Sequence, residues 1–272
     1  MGFDIFVKAH YIRTMSEEHA GLDMGILCDD LSKAAKAHGF DVSEYGRCDH
    51  NLPLLAFRRV TGEDLPYVYL SAGMHGDEPA GPLTVLKLLK DQNFTDQVNW
   101  YICPAMNPVG LLNKSRYSQG GRDLNRDYKD CKAFESKQHT EWLKACCPRF
   151  DFHLSLHEDW EAKGFYIYEV LEKDFPSLAT EILEAAKPYC GIDLSESIDW
   201  FEAQGGIISP PLHEEDLATI PYWPQAIYLV ANGFGGNHYT FETPSSRAID
   251  QRIAAQEASF LAAMQGFLKA RA

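Results

Sequence analysis

The chain has 272 residues, with 25 Lys+Arg against 39 Asp+Glu and a formal charge of −14. At 45% hydrophobic and 24% charged, its composition is that of a folded globular protein, which disfavours disorder, collagen and coiled coil. The acidity disfavours nucleic acid and anionic membranes as partners, because both recruit clustered Lys and Arg.

The longest all-apolar run is six residues, Ala226 to Ala231, far below the ~20 that span a bilayer. Met1 to Lys8 has no basic segment followed by an apolar stretch, so no secretory signal is expected. Phe6 stands where a myristoylation motif requires Ser or Thr. The seven cysteines are scattered, apart from adjacent Cys146 and Cys147, and none forms a CxxC; free thiols in a reducing cytoplasm are expected. No repeat, low-complexity tract or Pro/Ser-rich linker divides the chain, so one domain over residues 1–272 is expected.

Taken in order, Ser16 to His38 has helical periodicity through Leu22, Ile26, Leu31 and Ala35, with Gly39 as a stop. Leu52 to Val60 and Pro66 to Gly73 read as strands, the second rich in aromatic and β-branched residues. Pro79 to Lys90 reads as a helix with its prolines in the first turn, where no intrahelical donor is needed. Val98 to Cys103 is a strand and Phe134 to Cys146 a helix. Phe150 to His157 and Phe165 to Val170 are strands, followed by a helix from Phe175 to Pro188. Ala226 to Val230 and His238 to Glu242 read as strands, and Ser245 to Ala270 as a long amphipathic helix. This alternation predicts an α/β fold: a three-layer α/β/α sandwich around a mixed, mostly parallel twisted sheet. Chemistry is then expected beyond the carboxyl ends of the strands.

The loop after Gly73 holds His75 and Glu78 on one turn, a pair that can grip one metal ion, with Zn²⁺ suited to these donors. The plainer reading is a loop histidine beside a carboxylate favoured by a helix N-terminus. A third ligand is needed. In the strand around Leu154, His153, Ser155 and His157 share one face; His157 lies at the carboxyl end and His153 deeper, where a hydrogen-bonded core histidine is expected. Two histidines, one glutamate and an open position make a catalytic zinc arrangement. The loop Arg116 to Arg126 carries guanidinium groups able to hold a carboxylate or polarise a carbonyl; for Arg122 the reading is a surface salt bridge. Glu242 ends a strand where a carboxylate base that does not ligate the metal is required. Asp77, Glu158 and Asp159 lie close in sequence to these ligands, but read as surface and hydrogen-bonding groups rather than a second metal site.

These pieces, in this order, resemble the zinc carboxypeptidase family typified by carboxypeptidase A, and the spacing of nine residues from Arg116 to Asn125 is similar to its short bacterial members such as murein peptide amidase. The resemblance runs from about Tyr67 to Pro244; residues 1–60 have no counterpart in it. It implies one Zn²⁺ held by His75, Glu78 and His157, with Asp123 orienting the first histidine. It further implies Asn125 and Arg126 as holders of the substrate's terminal carboxylate, Arg116 polarising the scissile carbonyl, and Glu242 as general base. The family's active-site tyrosine aligns with Phe201, which cannot donate a hydrogen bond; Tyr222 and Tyr228 are the alternatives. The implied activity is hydrolysis of a C-terminal peptide or amide bond next to a free carboxylate. An N-acyl amino acid deacylase of the aspartoacylase/succinylglutamate desuccinylase branch is the rival, since that branch resembles this one in ligands and base. A catalytically inert relative is disfavoured by Glu242 standing alongside all three ligands. The partner expected is therefore a small peptide or acyl amino acid, and the oligomeric state stays open.

Overall fold

The computed structural model of the protein describes residues 22–210, 217 and 219–271. The segment Met1 to Lys8 and the first six residues of the predicted helix Ser16 to His38 lie outside this range. Helix α1 (Met24–Ala37) starts at Asp23, whose carboxylate accepts the Ile26 N–H at 3.0 Å, and buries a stripe of Met24, Leu27, Leu31 and Ala35. Gly39, at φ +77°, supplies the left-handed residue that ends it.

Strand β1 (Asp41–Arg47) was not legible: it is a half-exposed edge strand whose polar residues carry no apolar alternation, and its pairing with β2 (Pro53–Arg59) makes it a strand. Then come β3 (Tyr67–Ala72), α2 (Ala80–Lys90), β4 (Asn99–Cys103) and the short α3 (Pro108–Asn113). Next are α4 (Phe134–Cys146), β5 (Phe152–Asp159), β6 (Tyr166–Val170) and α5 (Ala179–Cys190). The two-residue strands β7 (Ser197–Ile198), β8 (Phe201–Glu202) and β9 (Ile207–Ile208) precede α6 (Gln225–Ala231), β10 (Asn237–Pro244) and α7 (Ile249–Arg271).

The predicted strand Ala226 to Val230 is a helix, α6. A short apolar run fits either element by periodicity. Here Gln225, Tyr228 and Leu229 are the buried positions, a helical i, i+3, i+4 stripe set by tertiary packing.

The described residues include a mixed eight-stranded sheet in the order β1-β2-β4-β3-β5-β10-β6-β9. Its centre, β4-β3-β5-β10, is parallel, and antiparallel pairs join β1, β2 and β6 to it. Helices cover both faces, giving the three layers. Val68, Leu70, Trp100, Ile102, Phe152, Leu154 and Phe241 face α1, α2, α5 and α7. Tyr69, Tyr101, Cys103 and Phe150 face α4 and α6. Each fully buried large side chain, Trp100 or Phe241 for instance, contributes about 1.5–3 kcal/mol of burial energy. Because strand side chains alternate, packing Phe152, Leu154 and Leu156 on the first face turns His153, Ser155 and His157 to the second. The seven cysteines are all unpaired. Among the described residues, no helix is long and apolar enough to cross a membrane.

Candidate functional site

Three strand ends converge. The turn after β3 carries His75 and Glu78, β5 carries His157, and β10 carries Glu242. This turn depends on glycine: a Cβ on Gly76 would lie 1.9 Å from the carbonyl carbon of Gly110, so the loop packs backbone to backbone against α3. The Gly76 N–H donates to the Ser115 carbonyl at 3.0 Å, and the Asn107 side chain caps α3 through the Gly110 N–H at 3.0 Å.

His75, Glu78 and His157 come together, each with one donor atom within 4.8 Å of the others, and all are buried at 3–4% exposure. His75 Nδ1 lies 2.5 Å from Glu78 Oε1, and His157 Nδ1 lies 2.9 Å from Glu78 Oε2. Both rings thus present the same nitrogen to one carboxylate, a donor set able to hold one divalent ion. The far nitrogen of His75, Nε2, is 3.2 Å from Asp123 Oδ1. That contact fixes the ring and leaves Nδ1 for a ligand bond. Among the described residues this is the one group of three such side chains close enough for a metal.

The charges follow from this geometry. Burial pushes His75 down, but Glu78 and the hydrogen bonds to Asp123 and Glu78 more than offset it and raise it to about 9. Burial pushes Glu78 up, and the two histidines outweigh that and bring it down to about 2. Burial lowers His157 below its usual value against the pull of Glu78. Asp123 is held below the carboxylate range, its burial outweighed by His75, Arg116 and Arg126.

Arg116 anchors on Asp123, with Nε and Nη2 each 2.9 Å from Oδ2. Its remaining nitrogen, Nη1, points at the histidine–glutamate cluster, 3.4 Å from His75 Nδ1 and 3.8 Å from Glu78 Oε1. Asn125 and Arg126 sit on a single 3-10 turn just beyond Asp123. Glu242 is paired in register with His157 on the neighbouring parallel strand, so the two side chains leave the sheet on the same face. Burial, then the charges of Glu78, Asp159 and Asp199, push its carboxyl well above the usual range, with Arg116 opposing.

The other candidates separate cleanly. His153 is a buried core group whose Nε2 contacts the Gly235 carbonyl, and burial lowers it to about 4. Arg122 and Asp77 are exposed. Glu158 is buried between the Ala80 N–H and Arg252. Tyr228, on the buried face of α6, stacks on Phe234 in the core. Phe201 packs edge-on against Tyr168. Tyr222 lies over the Arg126 guanidinium at 4.9 Å.

Sequence reasoning missed Tyr166, Tyr168 and Asp199. Tyr166, in register with Glu242, donates to Asp159 at 3.0 Å, and Tyr168 donates to Asp199 at 2.7 Å. The Tyr-x-Tyr alternation on one strand was a usable signal. Asp199 had none, because it arrives on the tip of the β7–β8 hairpin, 31 residues from its partner.

With this geometry in view, comparison with known proteins is informative. Residues 64–198 match the succinylglutamate desuccinylase/aspartoacylase catalytic domain. Carboxypeptidase 2 of Trichophyton rubrum is 28% identical over 160 residues, covering 48% of this chain and only 28% of that protein. In fold, the chain is similar to a Shewanella denitrificans protein provisionally named a metallopeptidase, with TM-score 0.77, 23% identity and coverage of 90% and 89% of the two chains. It is also similar to the metallo-carboxypeptidase of Burkholderia cenocepacia, with TM-score 0.64, 18% identity and coverage of 89% and 68%.

Proposed function

We propose that the chain, whose residues 64–198 match the succinylglutamate desuccinylase/aspartoacylase catalytic domain, is a zinc-dependent hydrolase. Its reaction is cleavage of a C-terminal peptide or amide bond next to a free carboxylate. The observation that carries this reading is the convergence of the His75–Glu78–His157 cluster with Glu242 on the adjacent strand and Arg116 aimed at the same point.

When bound at His75, Glu78 and His157, the ion supplies Lewis-acid polarisation and a lowered water pKa. Arg116, oriented by Asp123, donates from Nη1 to the oxygen that gains charge as the carbonyl is attacked. Glu242 accepts the proton of the attacking water and passes it to the leaving nitrogen as the C–N bond breaks. Asn125 and Arg126 hold the substrate's free carboxylate, which sets the register of the cleaved bond.

His75 must release its proton before both histidines can ligate, while Glu78 is already ionised and His157 already neutral near pH 7. Zinc affinity therefore rises by at least about tenfold per pH unit above neutrality until His75 loses its proton near pH 9. Calorimetric titration in buffers of different ionisation enthalpy should show one to two protons released per ion at pH 7, one from His75 and up to one from Glu242 as Glu78 is ligated. Release of none would contradict the ligand arrangement.

The match to the desuccinylase/aspartoacylase catalytic domain favours a second reading, removal of an acyl group from an amino acid by the same residues. A panel of C-terminally free peptides, their C-terminal carboxamides and N-acyl amino acids separates the two. The first reading expects cleavage of the free peptides and not of the carboxamides, lost on chelation and restored by zinc. Cleavage of N-acyl amino acids alone would transfer the assignment to the second. A zinc-loaded protein inert on the whole panel would overturn both.

A further inference from the structure

Residues 220–225 lie outside the family match, yet they run alongside residues 125–129. The Tyr128 N–H donates to the Trp223 carbonyl at 3.2 Å, and the Lys129 ammonium to the Ile220 carbonyl at 2.6 Å. The Gln225 backbone N–H donates to Asn125 Oδ1 at 3.0 Å. That bond decides which way the Asn125 carboxamide faces: its oxygen is engaged, so its NH₂ is the edge left to donate to an anion. Arg126 is fixed from two sides, by the Tyr222 ring at 4.9 Å and by donation from Nη1 to the Asn125 carbonyl at 3.0 Å.

Gln225 itself is pinned from below, at 2% exposure. Its Oε1 accepts from Ser71 at 2.8 Å and Ser155 at 3.3 Å, and its Nε2 donates to the Tyr69 hydroxyl at 3.1 Å. Tyr69 and Tyr128 in turn bracket His139, each hydroxyl 2.9 Å from one ring nitrogen. Ser71 is on β3 and Ser155 on β5, the strands that lead to His75 and His157. Gln225 therefore ties the Asn125–Arg126 turn to the two strands that carry the histidines.

We propose that Tyr222 and Gln225 are positioning residues for a carboxylate-binding pair, Asn125 and Arg126, and set its place relative to the metal-ligand cluster. This rests on the reading of Asn125 and Arg126 as the substrate-carboxylate holders. Binding is the direct test, measured by calorimetry with a C-terminally free N-acetyl dipeptide and its C-terminal carboxamide, on zinc-loaded Glu242→Gln protein and its further variants.

Tyr222→Ala should weaken binding of the free peptide by about three- to tenfold, and Tyr222→Phe, which keeps the ring, should hold it within about twofold. In an Arg126→Ala background the Tyr222→Ala loss should vanish. Gln225→Met, similar in length without the hydrogen bonds, should weaken the free peptide by about tenfold and leave the carboxamide unchanged. If the parent protein prefers the free peptide but these variants bind it normally, or lose the carboxamide equally, the positioning role is overturned and the carboxylate reading stands. If the parent protein binds both peptides alike, the carboxylate reading falls and the positioning role with it.

Discussion

Glu242→Gln is expected to bind zinc as the unaltered protein does and to lose kcat by about 100- to 10,000-fold, the scale of a well-placed general base. The substitution keeps the shape of the side chain and removes only its capacity to take a proton. Glu242 is not among the three residues whose donor atoms cluster, so metal content should not follow activity. Its environment fits the role. Burial and the charge of Glu78 hold its carboxyl above the usual range, and Glu78 is the largest of the charges doing so. Ligation of Glu78 removes much of that repulsion and restores the ionised form a base requires. Elemental analysis beside single-turnover kinetics checks both halves. Near-normal turnover would remove Glu242 from the role, and loss of zinc would make it a ligand instead.

His157→Ala is expected to lose the ion itself. One of three protein donors disappears, and the metal content of dialysed protein should fall from about one equivalent to below about a tenth. The change also strips Glu78 Oε2 of its partner at 2.9 Å, leaving a buried carboxylate oxygen unpaired. The metal-free protein should therefore be about 1–3 kcal/mol less stable than its unaltered counterpart under the same conditions. His153→Ala is the control, because that ring sits in the core against the Gly235 carbonyl and not in the cluster. It should keep its zinc. Full occupancy in His157→Ala would break the proposed ligand set.

The two variants mark how far single residues could be read. His153 and His157 are the same residue type on one face of one strand, and only position along the strand distinguished them in the sequence. Strand direction separates them, because side chains at the carboxyl end of a parallel sheet meet the loops while deeper ones meet the core, and the structure puts His157 in the cluster and His153 against the Gly235 carbonyl. The same rule located His75, Glu78 and Glu242. It had no purchase on the Asn125 carboxamide, whose orientation depends on a backbone N–H one hundred residues away.

The α6 segment shows the limit on the side of the fold. Ala226 to Val230 is apolar throughout, so nothing local chose between strand and helix. The register of Gln225, Tyr228 and Leu229 against the second core chose helix. In β1 the reverse holds: its residues carry no apolar signal, and pairing with β2 supplies the hydrogen bonds that make it a strand.

What the sequence determined by itself was therefore local and chemical: donor types at short spacing, strand alternation that turns His157 to one face, and the glycines a tight loop needs. Tertiary structure alone decided what the chain brings together across long separations without any sequence signal: Asp199 near Glu242, and Tyr222 with Gln225 against the Asn125–Arg126 turn. The physical reason is one of range. Periodicity and turn chemistry act over a few residues, whereas hydrogen bonds between distant segments form only where packing of both sheet faces holds them within about 3 Å of each other.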